Sequence, residues 1–345
     1  MVLAIVLFVL LLFSGLSNVR HYANNLVRGK TTSYGTRTSG PKLEEVITED
    51  HDANNKIAVV EINGIISSRA LDQGPYSMVD LIKAQLKRAA EDDRVKAVIL
   101  KVNSPGGEVL ASDEINREIK DFQDKSLKPV VASMGDLAAS GGYYVSVPCR
   151  WIVANDMTIT GSIGVILHTW NYRELMDKVG LIPEVYKSGK FKDMLSGERE
   201  PDKIPPEERQ MVQSLIDETY GRFKSVVAHG RERAHQKNGD QGRQLSSDWS
   251  DYADGRVVSG TEAYKLGFVD QLGYFSDAVD RAKSIASISS ANLVEYQQRY
   301  DLSDFFRMFG QSGQVQSRAI KVDLGLDLPK LQAGQLYYLW PTFLR

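Results

Sequence analysis

Short, wholly apolar runs separated by stretches of helical periodicity constrain this chain more than any other feature. Residues 57–62 (IAVVEI), 95–102 (VKAVILKV), 129–134 and 151–154 have the length and β-branched content of buried strands. Between the first two runs, Met78, Val79, Ile82, Leu86 and Ala89 share one helical face behind a capping Ser77. Between the next two, Ile115, Ile119 and Phe122 fall at i, i+4 and i+7. Strands separated by helices predict an α/β fold with a largely parallel sheet covered by helices. A longer helix is expected from Pro205 and Pro206 to about Gly230, with Met211, Leu215, Ile216, Tyr220, Phe223 and Val227 along one face. Residues 232–250 are polar and read as loop. The core pattern occurs once.

Composition narrows the function. Forty-two basic against 44 acidic side chains, a net charge of −2, leave no field suited to a nucleic acid partner. The lone Cys149 forms neither an intrachain disulfide nor a thiolate metal site. His21, His51, His168, His229 and His235 show no metal-ligand spacing, and neither G-x-x-x-x-G-K-[ST] nor G-x-G-x-x-G is present. No metal or organic cofactor is expected.

One segment departs from the average. Residues 2–13 are all apolar and 14–16 extend the run to about 15 residues, against roughly 20 for a helix that spans a bilayer core. A membrane anchor and the apolar region of a secretory signal both fit. Arg20, Arg28 and Lys30 follow the segment, a bias that holds the body of the protein on the cytoplasmic side. Residues 31–41 are rich in Ser, Thr and Gly and 44–52 are acidic, so 20–55 reads as a flexible tether.

The candidate chemistry lies in glycine-rich turns at predicted strand ends, where open α/β sheets place ligands. Residues 103–107 (NSPGG) allow a tight turn with amides facing outward, suited to an oxyanion, or a plain strand-to-helix turn. In 135–144 (GDLAASGGYY), Ser140 stands among small residues with the Gly141 N–H beside it. That arrangement fits a nucleophile with its own oxyanion donor, and equally an ordinary helix N-cap. Lys187, Lys190 and Lys192 cluster in 187–193. A serine nucleophile without a credible histidine needs another base, and a lysine whose pKa is lowered serves. In 160–165 (TGSIGV), Ser162 is placed to hold such an amine by a hydrogen bond.

Together these stretches resemble the signal peptide peptidase A or protease IV type of serine peptidase. The matching segments are NSPGG at 103–107, GDLAASGGYYVS at 135–146, TGSIGV at 160–165, SGKFKDMLS at 188–196 and ADGRVVSGTEAYKLGFVDQLG at 253–273. The resemblance covers about residues 57–286. It implies a Clp protease/crotonase-like fold of repeated ββα units and a Ser/Lys dyad: Ser140 as nucleophile, Lys192 as general base, Ser162 orienting the lysine, and Gly107 and Gly141 as the oxyanion hole. It also implies released signal peptides or other unfolded apolar peptides as substrates, and a homo-oligomeric ring in which serine and lysine meet across a subunit boundary. A single-pass anchor in the cell membrane with the catalytic domain on the extracytoplasmic side goes with it, against the charge bias noted above.

The expected organisation is an anchor or uncleaved signal at 1–19, the tether at 20–55, the peptidase domain at 56–290 and a C-terminal extension at 291–345. Two rival readings remain: a crotonase-type acyl-CoA enzyme on the same fold, and a membrane scaffold that has lost activity. The end of the chain, residues 336–344 (LYYLWPTFL), is too apolar to leave in water at about 25 cal/mol per Å². It packs on the chain's own body or a neighbour, rests at a membrane interface, or lies in a substrate groove as an extended mimic that slows turnover.

Overall fold

The computed structural model describes residues 40–69, 76–299 and 336–339. The anchor at 1–19 and the first part of the tether lie outside them. Among the described residues, no helix is long and apolar enough to cross a membrane. Strands β1 (Leu43–Glu49) and β2 (Lys56–Asn63) lead into helix α1 (Met78–Glu91), strands β3 (Val95–Ser104) and β4 (Gly106–Glu108), and helix α2 (Val109–Ser126). Strand β5 (Val130–Ala139) runs into the short helix α3 (Gly141–Ser146), followed by β6 (Trp151–Ala154), β7 (Ile159–Gly161), β8 (Ile166–Leu167) and helix α4 (Arg173–Lys178). The rest comprises α5 (Pro206–Asn238), β9 (Val257–Ser259), α6 (Gly260–Lys265), β10 (Gln271–Leu272), α7 (Phe275–Ile285), β11 (Asn292–Gln298) and β12 (Leu336–Leu339).

The fold is mixed α/β. The main sheet has the order β1-β11-β2-β3-β5-β6-β10, and β7 and β9 extend it from the end of β5. From β11 to β10 all neighbours are parallel; the antiparallel pairs, β1 with β11 and β7 with β9, lie at the margins. The four apolar runs are the central strands. Alternate residues explain why they are apolar throughout: Ala58, Val60, Val98 and Leu100 pack under α1 and α2, while Ile57, Val59, Ala97 and Ile99 face α7. Helix α1 begins as expected, with Ser77 Oγ accepting from the Asp80 N–H and the Asp80 carboxylate accepting from the Ser77 N–H.

Several boundaries differ from the sequence reading. The acidic part of the tether is strand β1, antiparallel to β11, with Glu45 and Asp92 both paired to the buried Lys56 ammonium. Residues 292–298, expected in a C-terminal extension, form β11 inside the sheet, parallel to β2. The glycine-rich stretch at 135–139 is the end of β5 rather than a turn, and 106–108 form a short strand. Helix α5 starts at Pro206 as expected but continues to Asn238, because Arg231 and Ala234 lie on its buried face. Of its expected apolar stripe, Phe223 and Val227 are buried, whereas Met211 and Leu215 stay exposed in the protomer.

Arg231 explains the extra turns of α5. Its guanidinium is fully buried, with Nη2 2.5 Å from Asp270 Oδ1 and Nε donating to the Gly267 carbonyl at 3.1 Å. Asp270 Oδ2 accepts from the Ile152 N–H at 2.8 Å, so the pair fastens α5 to β6 and to the loop before β10. Removing one partner strands the other charge in the core, at a cost of about 3–5 kcal/mol. Asp270→Ala is therefore expected to lower unfolding free energy by that amount, read from the urea midpoint at unchanged slope.

Candidate active site

Of the expected site residues, Ser140, Ser162, Gly107 and Gly141 gather near the carboxyl ends of β3, β5 and β7. Strand β5 delivers Ser140 into a sharp turn before α3, at φ 55° and ψ −117°. A serine adopts such a conformation only when its surroundings impose it, and strained strand-to-helix turns of this kind present nucleophiles in other hydrolases. The Ser140 N–H donates to the Gly161 carbonyl at 2.8 Å, and its carbonyl accepts from the Tyr144 N–H at 2.8 Å. Its hydroxyl caps nothing, so the simple N-cap reading fails. Ser162, one residue beyond β7, also has positive φ, 51°, and donates its N–H to the Arg256 carbonyl at 2.7 Å. Because β5 and β7 pair in parallel with Ala139 opposite Gly161, the two serines follow neighbouring strands at the same level.

Gly107 lies in β4. The Gly106 carbonyl and the Glu108 N–H are both bound to Ile66, so the Gly107 N–H and carbonyl face the opposite side. A Cβ on Gly107 would stand 2.0 Å from the Ile66 carbonyl oxygen, an approach only glycine permits. A Cβ on Gly141 would stand 3.1 Å from the Gly107 nitrogen, which puts the two expected oxyanion donors side by side.

The apolar tail reaches this place. Strand β12 lies between β4 and β8, antiparallel to both, with Tyr338 opposite Gly107 and Tyr337 opposite Ile166. The Tyr338 carbonyl oxygen would be 1.9 Å from a Cβ on Gly106, whose other near neighbour is the Gly141 nitrogen at 2.6 Å. The Tyr338 ring is buried, stacked on Tyr144 at 5.0 Å and tilted against Phe223 at 4.6 Å, with its hydroxyl donating to the Thr219 carbonyl at 3.2 Å. Tyr144 in turn donates to Asp113 at 2.5 Å, and burial together with that carboxylate pushes its phenol pKa up. Sequence reasoning flagged the tail's apolar excess but missed this aromatic pocket, whose residues come from α2, α3 and α5.

Lys192 is not part of the cluster in the protomer. It is exposed, and no hydrogen bond or ion pair links it to Ser140 or Ser162. Its loop is closed on itself by Lys187 with Asp193 at 2.7 Å, and Arg199 with Glu208 at 2.5 Å ties the following segment to the start of α5. The arm leading to it exposes Trp170, Leu175, Val179, Ile182 and Tyr186. Beside Ser162 an open cleft of about 420 Å³ is lined by Ile166, Ile216, Tyr220 and Leu339.

Residues 122–289 match the model of peptidase family S49. An Enterococcus faecium protein named as a signal peptide peptidase SppA is 36% identical over 74% of this chain and 71% of its own. A Synechocystis protease is 40% identical over 68% of this chain and 75% of its own. A solved mutant of the 1510-N membrane-bound stomatin-specific protease, in complex with a substrate peptide, overlays with a TM-score of 0.40 at 16% identity, over 75% of this chain and 99% of that one. The relatives set aside the acyl-CoA and inactive-scaffold readings. The chain belongs to peptidase family S49, the signal peptide peptidase A and protease 4 group, and is a serine endopeptidase.

Proposed function

We propose that the protein is a membrane-anchored endopeptidase of the Clp protease/crotonase-like fold that degrades released signal peptides and other unfolded apolar segments with a Ser140/Lys192 dyad. The observation that carries this reading is strand β12. It is a four-residue segment held by main-chain pairing on both sides, with Tyr338 opposite Gly107 and its carbonyl oxygen packed against Gly106, whose other near neighbour is the Gly141 nitrogen. An extended substrate would bind the same way, its backbone held by the ladder and its side chain chosen by the aromatic pocket.

The Ser140 oxygen attacks the scissile carbonyl as Lys192 takes the hydroxyl proton, and the tetrahedral anion is held by the Gly107 and Gly141 N–H groups. Collapse returns the proton to the departing amine and leaves an acyl-enzyme. Water, deprotonated by the same lysine, attacks the acyl carbonyl, and the lysine returns that proton to the Ser140 oxygen as the ester bond breaks and the acid leaves. Ser162 orients the lysine amine. The base comes from a second copy: the exposed apolar arm buries itself on a neighbour and brings Lys192 into the cleft beside that neighbour's Ser162. Exclusion of water there favours the neutral amine a base requires.

Ser140→Ala and Lys192→Ala are each expected to lower hydrolysis of an apolar peptide ester at least about a thousandfold. Near-normal turnover by either variant overturns the dyad. Mixing the two inactive variants should restore part of the activity, since some interfaces then pair an intact serine with an intact lysine; verified mixed oligomers without activity place both groups in one chain. Removal of residues 336–345 should raise turnover of a short peptide ester at unchanged oligomer size, as the cleft loses its internal occupant. Unchanged kinetics remove the inhibitory role of the tail.

A further inference from the structure

Strand β4 has three residues, and four of its backbone groups are held by Ser104, Ile66 and Ser112. The Gly106 N–H donates to Ser104 Oγ at 3.1 Å, and the Gly106 carbonyl accepts from the Ile66 N–H at 2.9 Å. The Glu108 N–H donates to the Ile66 carbonyl at 2.9 Å, and the Glu108 carbonyl accepts from Ser112 Oγ at 2.9 Å. Gly107 alone faces the cleft, and its contact with the Ile66 backbone is so close that its orientation follows that of Ile66. What holds Ile66 therefore aims the Gly107 N–H.

On one side Ile66 is anchored through Gly64, which donates its N–H to the Asn103 carbonyl at 3.0 Å and accepts from Ser104 Oγ at 2.6 Å. On the other side the anchor is the Glu108 side chain. Its carboxylate accepts from Ser67 Oγ at 2.9 Å, from Ser68 Oγ at 2.5 Å and from the Ser68 N–H at 2.9 Å. Glu108 is 6% exposed and Ser67 5%. A carboxylate at the start of a helix ordinarily turns to the helix's own first N–H groups. Glu108, the residue before α2, makes no such bond; its acceptor capacity goes to Ser67 and Ser68 instead.

We propose that Glu108 is a positioning residue of the oxyanion site: its carboxylate ties the Ser67–Ser68 backbone to β4 and so fixes the direction of the Gly107 N–H. This rests on the reading of Gly107 as an oxyanion donor. Charge-assisted hydrogen bonds are about twice as strong as neutral ones, which suits a clamp on a single peptide plane. Burial works against the charge, but the Ser68 hydroxyl and amide, the Ser67 hydroxyl and the nearby Arg69 outweigh it and hold the carboxyl below its ordinary pKa. The clamp thus stays ionised through the neutral range.

The test compares Glu108→Ala, Glu108→Gln and the double variant Ser67→Ala/Ser68→Ala in the full chain, with melting temperature as a folding control. Three quantities are read with an apolar peptide ester and a peptide aldehyde: kcat, KM and the aldehyde affinity, the last because the aldehyde's tetrahedral adduct needs the oxyanion donors. Loss of one such donor outright costs about a hundred- to a thousandfold in kcat, and a misdirected one less. Glu108→Ala should lower kcat and aldehyde affinity together by about ten- to a hundredfold, with KM within about twofold. Glu108→Gln keeps one acceptor oxygen in place and should recover much of the loss. If Glu108→Ala does not fold, the double serine variant, which retains the carboxylate and its bond from the Ser68 N–H, should show a smaller paired loss of kcat and aldehyde affinity. Folded variants with unchanged kcat and aldehyde affinity, or with a change confined to KM, overturn the proposal. Ser140→Ala is the control on the reading beneath it: turnover by that variant removes the serine mechanism itself, whereas an inactive Ser140→Ala beside a fully active Glu108→Ala removes only the role of Glu108.

Discussion

Ser140 is held where an L-residue does not rest on its own, at φ 55°, between the last residue of a central strand and the first of a buried helix. Such a conformation costs on the order of 1–3 kcal/mol and persists only when the neighbouring structure offers no alternative. Helix α3 supplies that constraint. The Tyr144 hydroxyl is bound to Asp113, the Tyr144 carbonyl accepts from Asn116 Nδ2 at 2.7 Å, and the Tyr143 hydroxyl donates to the Phe268 carbonyl at 3.1 Å. Phe268 follows Gly267, whose carbonyl is held by the buried Arg231 guanidinium. The ion pair in the core and the strained serine at the cleft are thus joined through one loop and one short helix. A change at Arg231 or Asp270 would be felt at Ser140 as well as in stability.

The sequence exposed the centre of the sheet and concealed its margins. Strands β2, β3, β5 and β6 are buried on both faces, so their composition alone identifies them. Strand β1 exposes Glu44 and Glu49 and turns Glu45 to the buried Lys56, a sequence no different from an acidic linker until β11 is found beside it. The last turns of α5 were hidden in a similar way: Arg231 reads as surface, and only the fold reveals the carboxylate that lets it be buried. Among the site residues, Ser140, Ser162, Gly107 and Gly141 stand in recognisable glycine-rich stretches because close backbone approach leaves few other residues possible. Glu108 gave no signal, since the partners of its carboxylate, Ser67 and Ser68, lie some 40 positions away in the chain. The tail announced that it must be covered, but its register against Gly107 is a property of the assembled ladder.

On the proposed reading, the separation of Lys192 from Ser140 follows from what a nucleophile and its base each need. A strained nucleophile needs a rigid, buried mount, and the ends of β5 and β7 provide one. A lysine that acts as a base needs to be dry only in the working enzyme, and an exposed arm allows that state to depend on what covers it. The arm's apolar side chains are poorly placed in water in the free protomer, so covering them and drying the amine are favoured by the same event. On the proposed reading, assembly sets the protonation chemistry while β12 sets access to the cleft, and neither can stand in for the other. A free tail cleft without a neighbouring arm has no base, and an assembled site filled by β12 has no substrate. The hold of β12 is local, four residues in two short ladders and one aromatic pocket. On the same reading a peptide of similar character competes for it by mass action, so the strength of that hold sets the peptide concentration at which turnover begins.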